Sequence, residues 1–389
     1  MQSHKDSDAS RPAPPAFTWI SSPQTYREMV GALAQARRLA VDIEADSLYH
    51  YFEKVCLIQI STDTWTYVID PLVVRSLLEL GRLMADPAIE KVFHASGYDL
   101  LSLKRDHGFA FTNIFDTHLA AQLIGHEQLG LSALLEKLLA IRHSKHRQRD
   151  DWSRRPLDPA QLQYAAMDTH YLLPLRDLLE QELREKGRLD WAREEFEAML
   201  DSEPHERSFD PEGFRRIKGS RELGPQQQAV LRALFLLRDH YARAMDLPPF
   251  KVLSNTVLID LARNPPSYAD ELSRRPGISA RVAARFSGEI FRVIRKARVE
   301  DTSDAKAQGH MVWRPHSREA QSRLEKLKAW RHSKAKELNL HVGVVFPGSL
   351  LETLAGFPPP DAASLANMDG MRAWRAREFG SQILQTLGS

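Results

Sequence analysis

Between residues 16 and 200, short apolar runs alternate with longer amphipathic stretches. The runs RLAVDIEA, VCLIQIST, TWTYVIDP, EKVFHAS and TNIFDT have the length and the alternation of strands. VVRSLLELGRLM, YDLLSLKRDHG, THLAAQLIG, LSALLEKLLA and a longer stretch from Pro159 to Lys186 repeat apolar residues at helical spacing. Short connections between the early strands predict an antiparallel start, and the later strand–helix alternation predicts parallel additions. The expectation is an α/β domain over 16–200, a mixed sheet flanked by helices.

Beyond residue 200 the pattern is helical, broken by polar stretches. DSEPHERSFDPE, residues 201–212, holds two prolines and reads as a linker. The polar stretch containing DTSDAKAQGHMVW predicts a second linker over 299–316. The helical blocks align without a gap at an offset of 93 residues. Leu231, Leu234, Arg238, Ala242 and Leu247 meet Leu324, Leu327, Arg331, Ala335 and Leu340. Pro265-Pro266 meets Pro358-Pro359, and Leu272, Gly277, Phe286 and Ile290 meet Leu365, Gly370, Phe379 and Ile383. Glycine and paired prolines fix turns, so chance likeness between leucine-rich helices is the poorer account. Two copies of one small all-α domain are expected, over 213–298 and 317–389.

A chain of 389 residues suggests two or three domains, and 43% hydrophobic with 27% charged residues fits globular domains. Residues 1–15 are polar and proline-rich and read as a disordered N-terminus without a signal peptide. Cys56 stands alone, so no intramolecular disulfide forms, and its apolar surroundings predict burial. No apolar run approaches the ~20 residues that span a bilayer. A cytoplasmic protein is expected. The net charge of +2 hides an asymmetry: residues 1–200 sum to −6 and residues 201–389 to +8. The basic half suits a polyanion, and bound metal would offset part of the acidic half's charge.

Carboxylates inside apolar segments need a positive partner. Asp42 and Glu44 in LAVDIEAD share one face of a strand. Asp99 follows in HASGYDLLSL, and Tyr164 and Asp168 in QYAAMDTHYLL share a helix face. Each has a plain structural reading in isolation: edge-strand charges, a carboxylate at a helix N-terminus, an exposed helix pair. Together they form a set of hard oxygen ligands suited to a pair of Mg²⁺ or Mn²⁺ ions.

The order DxE, then Asp after HASGY, then YxxxD resembles the DEDD exonuclease superfamily in its tyrosine-bearing branch. VDIEADSLYHYFEKVCLIQIST, KVFHASGYDLLSLKRDHG with NIFDTHLAAQLIG, and DDWSRRPLDPAQLQYAAMDTHYLL are similar to the three motifs of the ribonuclease D family and of related exosome-associated exonucleases. The likeness runs through most of 30–185. It implies a ribonuclease H-like mixed-sheet exonuclease domain in which Asp42, Glu44 and Asp168 hold one ion, Asp42 and Asp99 a second, and Tyr164 orients the attacking water. The branch that uses histidine one residue later is excluded, because that position is Ala165. The helical repeats resemble HRDC domains, and the second carries the Trp330-Arg331 pair frequent among them. Such domains bind nucleic acid weakly or contact partner proteins.

The run IRHSKHRQRDDWSRRP carries Arg142, Lys145, Arg147, Arg149, Arg154 and Arg155, either a solvated loop or one that touches phosphates. Arg147, Arg149 and Arg154 are candidate RNA contacts, and Trp152 either stacks on a base or is buried under the loop. Leu48, Tyr49 and Tyr51 are candidates to wedge or stack a terminal nucleotide. Asp116 either caps the helix that begins at Thr117 or supports the acids from behind. His94 reads as a core histidine.

The family likeness implies a 3′→5′ exoribonuclease that releases nucleoside 5′-monophosphates from a free single-stranded 3′ end, with tRNA or other structured RNA as substrate. DNA trimming by the same chemistry and a vestigial nucleic-acid-binding or partner-recruiting protein remain alternatives. Removal of 213–389 is expected to spare chemistry on short RNA.

Overall fold

The computed structural model describes residues 15–144, 146–204, 209–299 and 317–388. Nearly all of the expected N-terminal tail and second linker, with 205–208 of the first linker and Lys145, lie outside the described residues. The described chain falls into two compact units: 15–45 with 55–204 and 317–388, and 46–54 with 209–299.

In the first unit the order is β1 (Phe17–Ile20), α1 (Pro23–Leu33), β2 (Arg38–Ala45), β3 (Val55–Ser61), β4 (Thr66–Ile69), α2 (Leu78–Ala85), β5 (Glu90–Phe93), α3 (Gly97–His107) and β6 (Ile114–Asp116). Helices α4 (Thr117–Ile124), α5 (Leu131–Leu139), α6 (Pro159–His170), α7 (Leu172–Glu185) and α8 (Leu189–Leu200) follow. The sheet runs β1-β4-β3-β2-β5-β6. β2, β3 and β4 pair antiparallel, while β5 and β6 add in parallel beside β2, as the strand spacing predicts. β1 joins the far edge parallel to β4. Sequence patterning does not single out β1, α1 or α8.

The stretch from Pro159 to Lys186 forms two helices rather than one. Pro174 lies in the first turn of α7 and has no N–H to continue the ladder from α6, so the helix ends and restarts at Tyr171. Cys56 is fully buried on β3, as expected. Among the described residues no helix is long and apolar enough to cross a membrane.

The second repeat belongs to this same unit. Its helices are α13 (Arg318–Leu338), α14 (Val342–Val345), α15 (Gly348–Gly356), α16 (Ala362–Ala366) and α17 (Ala373–Leu387), and their apolar residues join the core of the α/β domain. Trp191 of α8 stacks on Trp374 of α17. The Arg188 guanidinium donates to the carbonyls of Leu123, Ile124 and Leu338. This repeat packs with the α/β domain into one compact unit.

The second unit holds the first repeat: α9 (Pro225–Ala244), α10 (Pro249–Val252), α11 (Asn255–Arg263) and α12 (Ala280–Val299) around their own core. The structure supports the duplication in detail. Gly277 and Gly370 both have positive φ, as do Asp246 and Asn339. Arg238 donates to the Leu253 carbonyl and Arg331 to that of Phe346, its counterpart 93 residues on.

Residues 46–54 complete the second unit. The Asp246 carboxylate accepts from the Tyr51 and Phe52 amides and lies 2.8 Å from His50 Nδ1, and Tyr51 donates its hydroxyl to Asp239.

Candidate active site

Asp42 and Glu44 project from β2 on one face, and a bulge follows immediately, where the register slips between Glu44 and Ala45. Asp99 stands in the first turn of α3, where the helix dipole favours a carboxylate. Tyr164 and Asp168 lie one turn apart on α6. The start of α6 is fixed by a capping box: the Asp158 side chain accepts from Gln161 N, and Gln161 accepts from Asp158 N.

These acids face one another. Burial pushes the Asp42 carboxyl well above the usual carboxylate range, and the charges of Asp99, Asp168 and Glu44 push it further. Glu44 is raised by burial and then by Asp168 and Asp99. Asp99 is raised by burial and then by Asp116 and Asp168. Asp42 and Glu44 keep partial solvent exposure, so the cluster is enclosed by protein yet open to water. The Tyr164 hydroxyl is also held protonated, first by burial and then by Asp168, Glu44 and Asp42, while its hydrogen bond with Gln148 opposes the shift.

Asp116 has a structural part with a bearing on the site. It caps α4 through Leu119 N and accepts from Ala95 N, Ser96 N and Ser96 Oγ. Those last three bonds fix the turn from which α3 springs, and so fix Asp99.

Sequence reasoning missed His143. Its Nε2 lies 2.7 Å from Asp168 Oδ1, and its ring stacks on Tyr164 with centroids 5.3 Å apart. This bond opposes the rise that burial imposes on Asp168. No spacing rule separates His143 from its neighbour His146 in the same loop.

The basic loop has several employments. Arg155 makes a two-pronged bond to buried Asp70 and donates to the carbonyls of Cys56, Trp152 and Arg154, so it anchors the loop. Arg147 pairs with Asp150 and Asp158. Arg149 and Arg154 are exposed. Trp152 is 0% exposed, packed against Tyr164, so its indole offers no face to a base. Leu48, Tyr49 and Tyr51 belong to the second unit, where Tyr51 packs on the first repeat's core and Lys251 lies over the Tyr49 ring.

In donor chemistry the cluster fits divalent cations: hard carboxylate oxygens, a summed negative charge and access to water. Among the described residues, no three His, Cys, Asp or Glu side chains close on one point tightly enough to hold an ion as they stand. His143 engages one Asp168 oxygen.

A family model described as 3′-5′ exonuclease matches residues 17–184, and the HRDC domain model matches 227–294 and 320–387. A ribonuclease D of Zymomonas mobilis is 35% identical over 270 residues, covering 67% of each chain. The chain belongs to the ribonuclease D family. A second ribonuclease D, from Gluconacetobacter diazotrophicus, is 29% identical over 92% of this chain and 91% of its own. The catalytic core of RRP6 from Trypanosoma brucei superposes with a TM-score of 0.66 at 28% identity, covering 73% of this chain and 80% of that one. The chain joins a 3′→5′ exonuclease domain to two HRDC domains, and it is a nuclease.

Proposed function

We propose that the chain is a 3′→5′ exoribonuclease that removes nucleoside 5′-monophosphates one at a time from a single-stranded 3′ end, with the aid of two Mg²⁺ or Mn²⁺ ions. The observation that carries this reading is the convergence of Asp42, Glu44, Asp99 and Asp168 from β2, α3 and α6 into mutual electrostatic contact. Asp42, Glu44 and Asp168 would hold one ion, and Asp42 with Asp99 the other. Such ions, when bound, make a water acidic enough to attack a phosphodiester and offset charge on the leaving 3′ oxygen.

The protein's own groups do the positioning. Tyr164 stays protonated, so its hydroxyl is a donor that orients the attacking water rather than a base that takes its proton. Asp116 keeps Asp99 in place through the 95–96 turn. On α12 of the first repeat, Arg281, Arg285, Arg292, Arg295, Lys296 and Arg298 stand against the single acid Glu289, a surface suited to a phosphate backbone. That surface suits a nucleic acid, and with the family likeness it makes structured RNA, such as tRNA precursors, the substrate of this proposal.

The test is digestion of 5′-labelled RNA and matched DNA in Mg²⁺ or Mn²⁺. One-nucleotide steps on RNA with mononucleotide products, abolished by Asp42→Asn/Asp168→Asn, are expected. Faster loss of DNA would overturn the substrate assignment, and equal activity of the double variant would overturn the catalytic one.

A further inference from the structure

Asp42 on β2 has Gln59 on β3 as its direct antiparallel partner. Residues directly opposite in such a ladder put their side chains on the same face, with Cβ atoms about 5 Å apart. That face of β3 lies under α6: two residues on, Ser61 Oγ bonds Thr169 Oγ1 of α6 at 2.7 Å. Gln59 is 0% exposed, and both of its amide atoms, Nε2 and Oε1, are without a hydrogen-bond partner. A buried primary amide with neither donor nor acceptor used is costly, and most buried polar side chains are paired. Here the unused amide lies beside the most crowded carboxylate of the site.

Asp42 is the acid assigned to both ions, so its orientation matters most. Groups that hold a ligand in place from behind govern how well it binds metal. An amide N–H₂ suits that task, because it donates to a carboxylate without adding charge to a cluster already short of cations. Its length matters too: Gln reaches one methylene further across the strand pair than Asn.

We propose that Gln59 is a positioning residue for Asp42, donating from Nε2 to its carboxylate when the acids close around divalent cations. The proposal rests on the metal reading above.

Calorimetric titration of the full chain with Mn²⁺, alongside thermal melting in chelator, tests it. Gln59→Met keeps the shape and removes the amide, and Gln59→Asn keeps the amide but shortens it. Both are expected to weaken Mn²⁺ binding about tenfold, while Gln59→Met melts in chelator at or above the wild-type temperature. Ile58→Ala, on the other face of β3, is the control for lost packing. Mn²⁺ affinity within twofold of wild type in both Gln59 variants would overturn the proposal, as would a weakening no larger than Ile58→Ala gives. Absence of Mn²⁺ binding by the wild type would instead sink the metal reading, and this proposal with it.

Discussion

Trp191 of α8 and Trp374 of α17 stack face to face, with ring centroids 4.3 Å apart and planes inclined by 15°. Around this pair, Glu195 accepts from Trp374 Nε1 and pairs with Arg375, while Glu194 accepts from Trp374 N and pairs with Arg377. The second HRDC domain therefore completes the nuclease core.

Removing 317–389 is then expected to unfold the α/β domain rather than leave a trimmed enzyme. Trp191→Ala should cost about 3–5 kcal/mol in urea unfolding. A soluble, cooperatively melting fragment ending before residue 317, active on short RNA, would contradict this.

Gly125, the C-cap of α4, has φ +99°, and a Cβ there would run into the Asn339 carbonyl oxygen at the end of α13. Gly125→Ala combines backbone strain with a clash, so a loss of about 2–4 kcal/mol is expected. Chemical unfolding measures it; a loss under about 0.5 kcal/mol would show that the two helices part without cost.

The raised carboxylate pKa values set a pH dependence for the metal-free protein. Carboxyls whose folded pKa exceeds the unfolded value bind more protons in the folded state. Stability is therefore favoured below the ordinary carboxylate range near about pH 4 and falls as pH rises through the raised values of Asp42, Glu44 and Asp99. In chelator, wild type should lose stability relative to Asp42→Asn/Asp168→Asn as pH rises above the ordinary carboxylate range, and Mg²⁺ or Mn²⁺ should restore it. Parallel pH curves for the two proteins would argue against repulsion in the cluster.

His143 holds an Asp168 oxygen that the proposed ion would need. His143→Ala should lower the Mn²⁺ concentration for half-maximal thermal stabilisation several-fold, since a charge-assisted bond no longer competes. A higher requirement would mean that the imidazole arranges Asp168 for metal instead of obstructing it.

Much of this was legible in the sequence, for reasons that are local. Asp42 and Glu44 alternate with Leu39, Val41 and Ile43, which fixes both the strand and the acids' common face. The Asp158-Pro159 start and the spacing of Tyr164 and Asp168 fix α6 and the face that carries both side chains. What escaped depends on pairings across the fold. Gln59 is one more polar residue in VCLIQIS until the register sets it against Asp42. The stack of Trp191 on Trp374 joins residues in segments that a polar linker seemed to separate. Tyr51 looked like a base-stacking candidate, yet its hydroxyl is bound to Asp239 of the first repeat.

Diffraction from crystals soaked in Mn²⁺ and a short RNA, at a wavelength where manganese scatters anomalously, tests the central claim most directly. The account expects two anomalous peaks, one bounded by Asp42, Glu44 and Asp168 and the other by Asp42 and Asp99, with the RNA 3′ end beside them. Peaks elsewhere, or none among these acids at saturating Mn²⁺, would contradict it.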